Sequence, residues 1–350
     1  MQIVNLHTTL KRRSMRKFFL ITAVFLLFVS CKESRKANIK DSMLKAQVES
    51  YARGIYHWKT TFNISDEDSN FIKEHNIKRL YVRMFDVGME RNESNDSLEV
   101  VPLGTTRFKS AIPKDCDFIP TVYITLDALK SYSNAESKLA ELIVTRVKAM
   151  ALWNDLGNFS ELQFDCDWTA GTRKSFERLC EATRMILSKD GIVLSGTIRL
   201  HQLGEATYPF DKGVLMVYNT GSFVNPNTTN SILDYDDVHK YLSSKGRINN
   251  FLKARKTNCQ EINVAYPTFN WGVVFDDNGQ FKSLVRDIDS YTPQQGEQLR
   301  VEKSDYKEID RVKTLIDSLL WPAINGNIIY HLDSQNLKNY NSEEIEKIYN

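Results

Sequence analysis

Residues 161–200, ELQFDCDWTAGTRKSFERLCEATRMILSKDGIVLSGTIRL, contain a strand, a helix and a second strand in succession. We predict strands over Glu161–Thr169 and Ile192–Leu200. Between them, Thr172–Lys189 has apolar residues at helical spacing and is a predicted helix. This order of elements predicts two parallel strands joined by a crossover helix.

The same alternation continues on both sides of this unit. Six further segments are predicted strands, at residues 54–60, 79–87, 118–125, 214–219, 261–267 and 327–332. Eight strands separated by mostly helical connections predict a (β/α)8 TIM barrel over residues 53–350. An open doubly wound sheet is the alternative. No glycine-rich dinucleotide or phosphate loop follows a strand, so the barrel is favoured and we expect no cofactor.

Two stretches interrupt the alternation. Residues 88–116 are polar around a short apolar piece and predict an excursion from the barrel. Gly272–Phe275 and Phe281–Val285 flank Asp277-Asn278-Gly279, which predicts a β-hairpin insertion with a tight turn.

The charge of the chain is concentrated at its beginning. The 350 residues include 46 Lys+Arg and 44 Asp+Glu, a net charge of +2, which argues against nucleic acid as a partner. Residues 1–30 hold five of the basic residues and no acidic one. Without them, 41 basic residues face 44 acidic ones, and the net charge becomes −3.

The first thirty residues have the pattern of an export signal. A basic block precedes the apolar run Phe18–Val29, whose 12 residues are fewer than the roughly 20 that cross a bilayer. The run ends Leu27-Phe28-Val29-Ser30-Cys31, which resembles the lipobox of bacterial lipoproteins. We therefore expect a signal peptide at residues 1–30, lipidation of Cys31 and a polar tether over residues 31–52. The resemblance implies export and lipid anchoring to the bacterial cell envelope, at the outer membrane, on its periplasmic or surface face.

Export places the chain where disulfides are possible. Cys166 lies in a predicted strand and Cys180 in the helix after it, so the two side chains could meet. Buried free thiols are the alternative, and the sequence leaves both states open.

Polar side chains collect at the predicted strand ends, where barrel enzymes keep their active sites. Gln163, Asp165 and Asp167 share one face of their strand because side chains alternate. Two inward carboxylates about 7 Å apart at Cα do not both ionise cheaply when desolvated, so one is expected to have a raised pKa. That property suits a general acid. The alternative is that the carboxylates pair with Arg83, Arg199 or Lys59.

Other residues at these ends suggest ligand contacts. His57, His201 and His331 lie at three strand ends and could ligate a metal together with an aspartate, but no metal-binding motif is present and we expect no metal. Trp58 and Trp271 could stack on sugar rings, although aromatic residues also cap barrels. The expected ligand contacts are Trp58, His57, Arg83, Arg199, His201, Trp271 and His331.

Four motifs together resemble a family of exported bacterial proteins, domain of unknown function 3142. They are residues 55–60 (IYHWKT), 79–83 (RLYVR), 163–168 (QFDCDW) and 195–202 (SGTIRLHQ), and the resemblance covers most of residues 53–335. That family implies no established activity.

A more distant similarity is to chitinase-like family 18 glycoside hydrolases. Met216-Val217-Tyr218-Asn219 is similar to a motif of their sixth strand, and Asp165-Cys166-Asp167 to part of their acid-rich fourth strand. Their catalytic glutamate would fall near Thr169, where this chain departs from the pattern. The similarity implies that Tyr218 and Asn219 hold an acetamido group or the intermediate formed from it.

These observations predict a glycoside-hydrolase-like barrel acting on a cell-envelope or environmental glycan. Asp167 is the expected general acid/base, Asp165 its tuning partner, and Tyr218 and Asn219 stabilise the transition state. A barrel that binds a glycan without cleaving it is the alternative, and a metal-dependent hydrolase or deacetylase is a third.

Overall fold

Eight parallel strands form a closed barrel in the computed structural model, which describes residues 52–205, 207–220, 223, 230–257, 259, 261–286, 288–321 and 323–350. The barrel strands are β1 (Ala52–His57), β3 (Arg79–Arg91), β6 (Asp117–Ile124), β7 (Glu161–Asp165), β8 (Val193–Arg199), β9 (Lys212–Met216), β10 (Glu261–Pro267) and β14 (Gly326–Tyr330). Each strand pairs with the next barrel strand along the chain. The barrel closes where β1 pairs with both β3 and β14. The predicted (β/α)8 TIM barrel is confirmed.

Helices cover most of the connections between these strands. They are α1 (Asp66–Glu74), α2 (Leu126–Ser131), α3 (Glu136–Trp153), α4 (Arg173–Leu187), α5 (Tyr235–Leu242), α6 (Lys245–Thr257), α7 (Tyr306–Leu320), α8 (Ser334–Leu337) and α9 (Ser342–Tyr349). Short 3-10 turns lie at Ser188–Asp190 and Leu200–Gln202. The connections from β3 to β6 and from β8 to β9 contain no α-helix among the described residues.

Local sequence signals explain several of these boundaries. Ser65 caps α1, accepting a hydrogen bond from the Asp68 backbone while the Asp68 carboxylate accepts one from the Ser65 backbone. On α4, Phe176 and Leu179 are buried, as their spacing predicts. Trp168 stacks on Phe176 at 6.1 Å between ring centroids, so the apolar face of the acid-rich segment lies under this helix.

The predicted hairpin is present and belongs to a larger insertion. The strands β11 (Asn270–Phe275) and β12 (Phe281–Val285) pair antiparallel, and β13 (Gln298–Lys303) adds a third strand against β11. The strand β13 has no hydrophobic pattern in the sequence, because three of its six residues are exposed and its one buried residue is Glu302. This three-stranded sheet lies between β10 and β14 in the chain.

The predicted excursion at residues 88–116 begins as strand. The strand β3 runs on to Arg91 and pairs antiparallel with β4 (Leu98–Leu103). Two shorter strands, β2 (Thr61–Phe62) and β5 (Arg107–Phe108), pair nearby. The polar composition that predicted an excursion from the barrel reflects a strand pair that is largely exposed to solvent.

Charged side chains close the amino-terminal end of the barrel. They begin four strands, β3, β7, β9 and β10, and are Arg79, Glu161, Lys212 and Glu261. Lys212 contacts Glu161 and Glu261 at 3.2 Å each, and Arg79 pairs with Glu261. Above them, Tyr56 donates a hydrogen bond across the barrel to Gln163 (2.7 Å). The interior is therefore filled, and the opposite end is left to hold a ligand.

Cys116, Cys166 and Cys180 are free thiols. Burial raises the pKa of the Cys180 thiol, and neighbouring Cys166 raises it further. These two side chains act as small apolar groups between strand and helix.

The predicted signal peptide, Cys31 and all but the end of the tether lie outside the described residues. Within the described residues, no helix is long and apolar enough to cross a membrane.

Candidate active site

A cavity of about 630 Å³ opens at the carboxyl ends of the barrel strands. This volume lies within the range of roughly 300–1,000 Å³ typical of small-molecule sites. Nine of the eleven residues predicted from the sequence line it: Trp58, Arg83, Asp165, Asp167, Arg199, Tyr218, Asn219, Trp271 and His331. The barrel topology brings them together from seven different strand ends.

Two carboxylates share one arginine in this cavity. Asp165 ends β7, Asp167 follows two residues later, and Arg199 ends the neighbouring strand β8. The Arg199 guanidinium donates to Asp167 through Nε and to Asp165 through Nη2 (3.2 Å). Thr197, also on β8, donates its hydroxyl hydrogen to the same oxygen of Asp165 (2.7 Å). The ion pair expected as the alternative to catalysis is therefore present, and both carboxylates still face the cavity.

The two carboxylates differ in burial. Asp165 is 4% exposed, whereas the side chain of Asp167 is 42% exposed. Desolvation raises the pKa of Asp165; the Arg199 charge opposes this shift and the Asp167 charge adds to it. Asp165 therefore keeps a proton to higher pH than an exposed aspartate, while Asp167 is the carboxylate that a ligand reaches.

Tyr218 and Asn219 form the wall beside Arg199. The Arg199 guanidinium lies over the Tyr218 ring, 5.7 Å from its centroid, and Tyr218 stacks on Tyr330 at 4.7 Å. Asn219 has a φ of +56°, a left-handed conformation that asparagine tolerates better than most residues, and its N–H donates to Ile232 (2.7 Å). This backbone turn leaves the Asn219 side chain exposed at the edge of the cavity.

The aromatic wall contains one half-buried and one buried tryptophan. Trp58 is partly exposed, packs against Tyr330 at 5.7 Å and lines the cavity, so part of its side chain is open to a ligand. Trp271 is 8% exposed, packs on Phe269 at 5.2 Å and donates its ring N–H to Glu302 (2.8 Å). The structure thus makes Trp58 the better stacking platform and Trp271 a fixed part of the wall.

Two further ion pairs belong to the cavity wall. Arg83 holds Asp86 through two hydrogen bonds, of 2.9 and 2.6 Å, and Lys59 contacts Asp333 at 2.8 Å. These pairs hold polar groups at the ends of β1, β3 and β14, across the barrel from β8 and Arg199.

The structure corrects the expected position of His57. His57 is 2% exposed, packs against Phe62 at 4.7 Å and does not line the cavity. Because Tyr56 points into the barrel, alternation turns His57 to the outside. Burial lowers the pKa of His57 to about 4, with a further lowering from His331.

His201 is also displaced from the expected site. It is exposed, its Nε2 lies 3.3 Å from the Trp168 carbonyl oxygen, and it lines a second pocket of about 240 Å³. The chain turns into a 3-10 segment at Leu200, which carries His201 away from the barrel axis. Asp167, Arg199, Tyr218 and Asn219 line both pockets.

The three histidines therefore do not converge. Within the described residues, no three His, Cys, Asp or Glu side chains are grouped so that they could hold a metal ion. His331 alone remains in the main cavity, with a buried Nδ1 that has no hydrogen-bond partner.

The position that would carry the glutamate of the family 18 pattern also lies away from the cavity. Thr169 is exposed, four residues beyond the end of β7, and its N–H donates to the Thr172 hydroxyl (3.0 Å). A longer acid there would leave the strand register that holds Asp165 and Asp167.

Three further residues line the cavity that no sequence motif singles out: Phe269, Arg286 and Asn336. Phe269 follows β10, Arg286 follows β12, and Asn336 lies in α8 after β14. Arg286 comes from the inserted sheet, whose position over the barrel mouth has no signal in the sequence.

No protein-family model and no curated protein matches this chain. Solved structures similar to it include the spore cortex-lytic enzyme SleL of Bacillus cereus (15% identity, 85% of this chain and 74% of that one, TM-score 0.46). A chitinase of Chromobacterium violaceum shares 12% identity over 82% of this chain and 98% of its own, with a TM-score of 0.48. The class V chitinase of Nicotiana tobaccum shares 12% over 85% and 98%, with a TM-score of 0.49. Similarity at this level transfers no activity, and the resemblance to domain of unknown function 3142 stays a prediction.

Proposed function

We propose that this chain is a glycoside hydrolase-like barrel that binds a glycan across both pockets and cleaves a linkage beside Asp167. The observation that carries this proposal is the position of Asp167 where the 630 Å³ and 240 Å³ pockets meet. A sugar chain that occupies both would pass its linkage over this carboxylate. Trp58 offers the apolar surface on which a sugar ring stacks.

Asp167 would donate a proton to the glycosidic oxygen as the bond to the anomeric carbon breaks. It would then take a proton from the water that adds to that carbon, which returns the carboxyl to its starting form. Burial raises the pKa of Asp165, so this carboxyl is less readily ionised beside Asp167 than an exposed aspartate would be. Arg199 holds both carboxylates in place and limits their repulsion.

Tyr218 and Asn219 would contact the substituent of the sugar ring that lies against Asp167. Tyr218 is fixed between Tyr330 and Arg199, so its orientation is set before a ligand binds. Preorganised donors lose little entropy on binding and stabilise developing charge most effectively.

The test is release of new reducing ends from envelope and environmental glycans by the full chain. The Asp167→Asn variant should lower the rate at least about 100-fold, the range that a general acid or base contributes. Asp190→Asn, at an exposed carboxylate paired with Lys148, is the matched control and should act like the wild type. Unchanged release by Asp167→Asn would overturn the assignment of the acid.

A barrel that binds a glycan without cleaving it is the second candidate. It is favoured by the absence of a carboxyl group at Thr169 and by the engagement of both carboxylates with Arg199. Glycan binding by the wild type with no product under any condition would establish this reading instead.

We also infer, from the sequence alone, that the chain is exported and anchored through Cys31. The basic block, short apolar run and lipobox-like residues 27–31 support this inference. The glycan would then be one that meets the bacterial envelope.

A further inference from the structure

The charges of the main cavity are almost all neutralised within the protein. Its four carboxylates each contact a cation: Asp86 contacts Arg83, Asp333 contacts Lys59, and Asp165 and Asp167 both contact Arg199. One cation of the wall is left over from this arrangement, and it is Arg286.

Arg286 follows β12 and lines the cavity from the inserted sheet. Among the described residues, no carboxylate forms an ion pair with it. Burial is the main cause that lowers the pKa of His331; Asp333 opposes this shift, and the charges of Lys59 and Arg286 lower the pKa further. His331 also lines the cavity, and its buried Nδ1 has no hydrogen-bond partner.

An arginine at the edge of a sugar site favours a charged ligand over a neutral one. A ligand that covers the guanidinium removes water from it, and this costs free energy unless the ligand supplies acceptors. Neutral hydroxyls replace that water only in part. A carboxylate or sulfate accepts two parallel hydrogen bonds from guanidinium and brings the opposite charge.

We propose that Arg286 selects a glycan with an anionic sugar substituent, a carboxylate or a sulfate, and binds that group at the cavity mouth. This inference rests on the proposed glycan site and adds the substrate class. Arg286 is a specificity-determining residue here, separate from the carboxylates at which the bond would break.

The experiment compares the wild type with three variants on a glycan array that contains neutral, uronate-containing and sulfated oligosaccharides. Arg286→Gln removes the charge, Arg286→Lys retains it, and Arg107→Gln removes an exposed arginine outside the cavity as the matched control. The best ligand is then measured by calorimetry. It is measured again after chemical reduction of its carboxylates or removal of its sulfates, which leaves the sugar backbone unchanged.

We expect the wild type to bind anionic glycans and Arg286→Gln to bind them about 10- to 100-fold more weakly, the value of hydrogen bonds to a charged group. Arg286→Lys should lose less than Arg286→Gln, and Arg107→Gln should equal the wild type. Neutralising the ligand should weaken wild-type binding by the same factor and abolish the difference between wild type and Arg286→Gln. Loss on carboxyl reduction identifies a uronate-type ligand, and loss on desulfation identifies a sulfate.

Two other outcomes are distinguishable. If the wild type binds neutral glycans as tightly as anionic ones and Arg286→Gln changes nothing, the role of Arg286 is overturned while the glycan site stands. If no glycan binds to the wild type at all, both the proposed function and this inference fail.

Discussion

Replacing His57 by leucine should flatten the pH dependence of stability. The His57 ring is 2% exposed, and burial lowers its pKa to about 4 from an ordinary value of 6.5. Between these values the unfolded chain binds a proton that the folded chain does not, so stability falls as the pH drops through this window. From pH 7 to pH 5 the loss due to His57 is about 2 kcal/mol, worked from the two pKa values.

The assay is urea unfolding of the wild type and His57→Leu at pH 7 and pH 5. The variant should lose about 2 kcal/mol less between the two conditions than the wild type. At pH 7 it sacrifices no hydrogen bond at Nδ1, which has no partner. His331 is present in both proteins, so the difference between them reports the titration of His57 together with its coupling to His331.

Phe62→Leu is the matched control. The Phe62 ring packs against His57 at 4.7 Å, so this substitution disturbs the same contact without removing a titratable group. It should lower the free energy of unfolding by a similar amount at both pH values. The reasoning is refuted if wild type and His57→Leu lose equal stability from pH 7 to pH 5, because His57 would then be solvated or charged in the folded state.

Two further predictions concern the barrel. Asp165 has a raised pKa in the folded state, so its contribution to stability is lost as the pH rises above its ordinary value of 3.8; Asp165→Asn should lack this loss in urea unfolding while keeping the hydrogen bond from Thr197. An equal fall in stability in both proteins would contradict this. In Gly326→Ala the new Cβ would lie 2.1 Å from the Ala52 carbonyl oxygen at the barrel seam, so thermal unfolding should show a loss of about 1–3 kcal/mol. Gly171→Ala, whose Cβ meets nothing closer than 3.9 Å, is its control, and equal effects would show that the seam tolerates the methyl group.

Hydrophobic periodicity alone was sufficient to predict the barrel, because the apolar residues of strands and of crossover helices recur at different spacings. A nearly continuous apolar run such as Val214–Asn219 is typical of a strand that is covered on both faces, and this run can be read directly from the local sequence. The third strand of the inserted sheet, Gln298–Lys303, was not predicted because its one buried residue is the charged Glu302, which gives no hydrophobic pattern.

The site shows the same division at the level of single side chains. Alternation along the predicted strand placed Asp165 and Asp167 on the cavity side, although β7 ends at Asp165 and Asp167 lies two residues beyond it. Alternation also requires that Tyr56 and His57 point to opposite faces of β1. Only the hydrogen bond from Tyr56 to Gln163 across the barrel shows that Tyr56 points inward and His57 outward.

What only the tertiary structure decided is which charges meet. Arg199 reaches both carboxylates because β8 lies beside β7. The two carboxylates differ in exposure because the barrel covers Asp165 and leaves Asp167 open to solvent. Arg286 reaches the same cavity from the inserted sheet, although it lies more than eighty residues beyond Arg199 in the chain. The sequence determined the strands, the helices and their apolar faces, because these follow from local hydrophobicity. The exposure and the ion pairs of the cavity side chains, which set the chemistry of the site, depend on distances that exist only after the barrel closes.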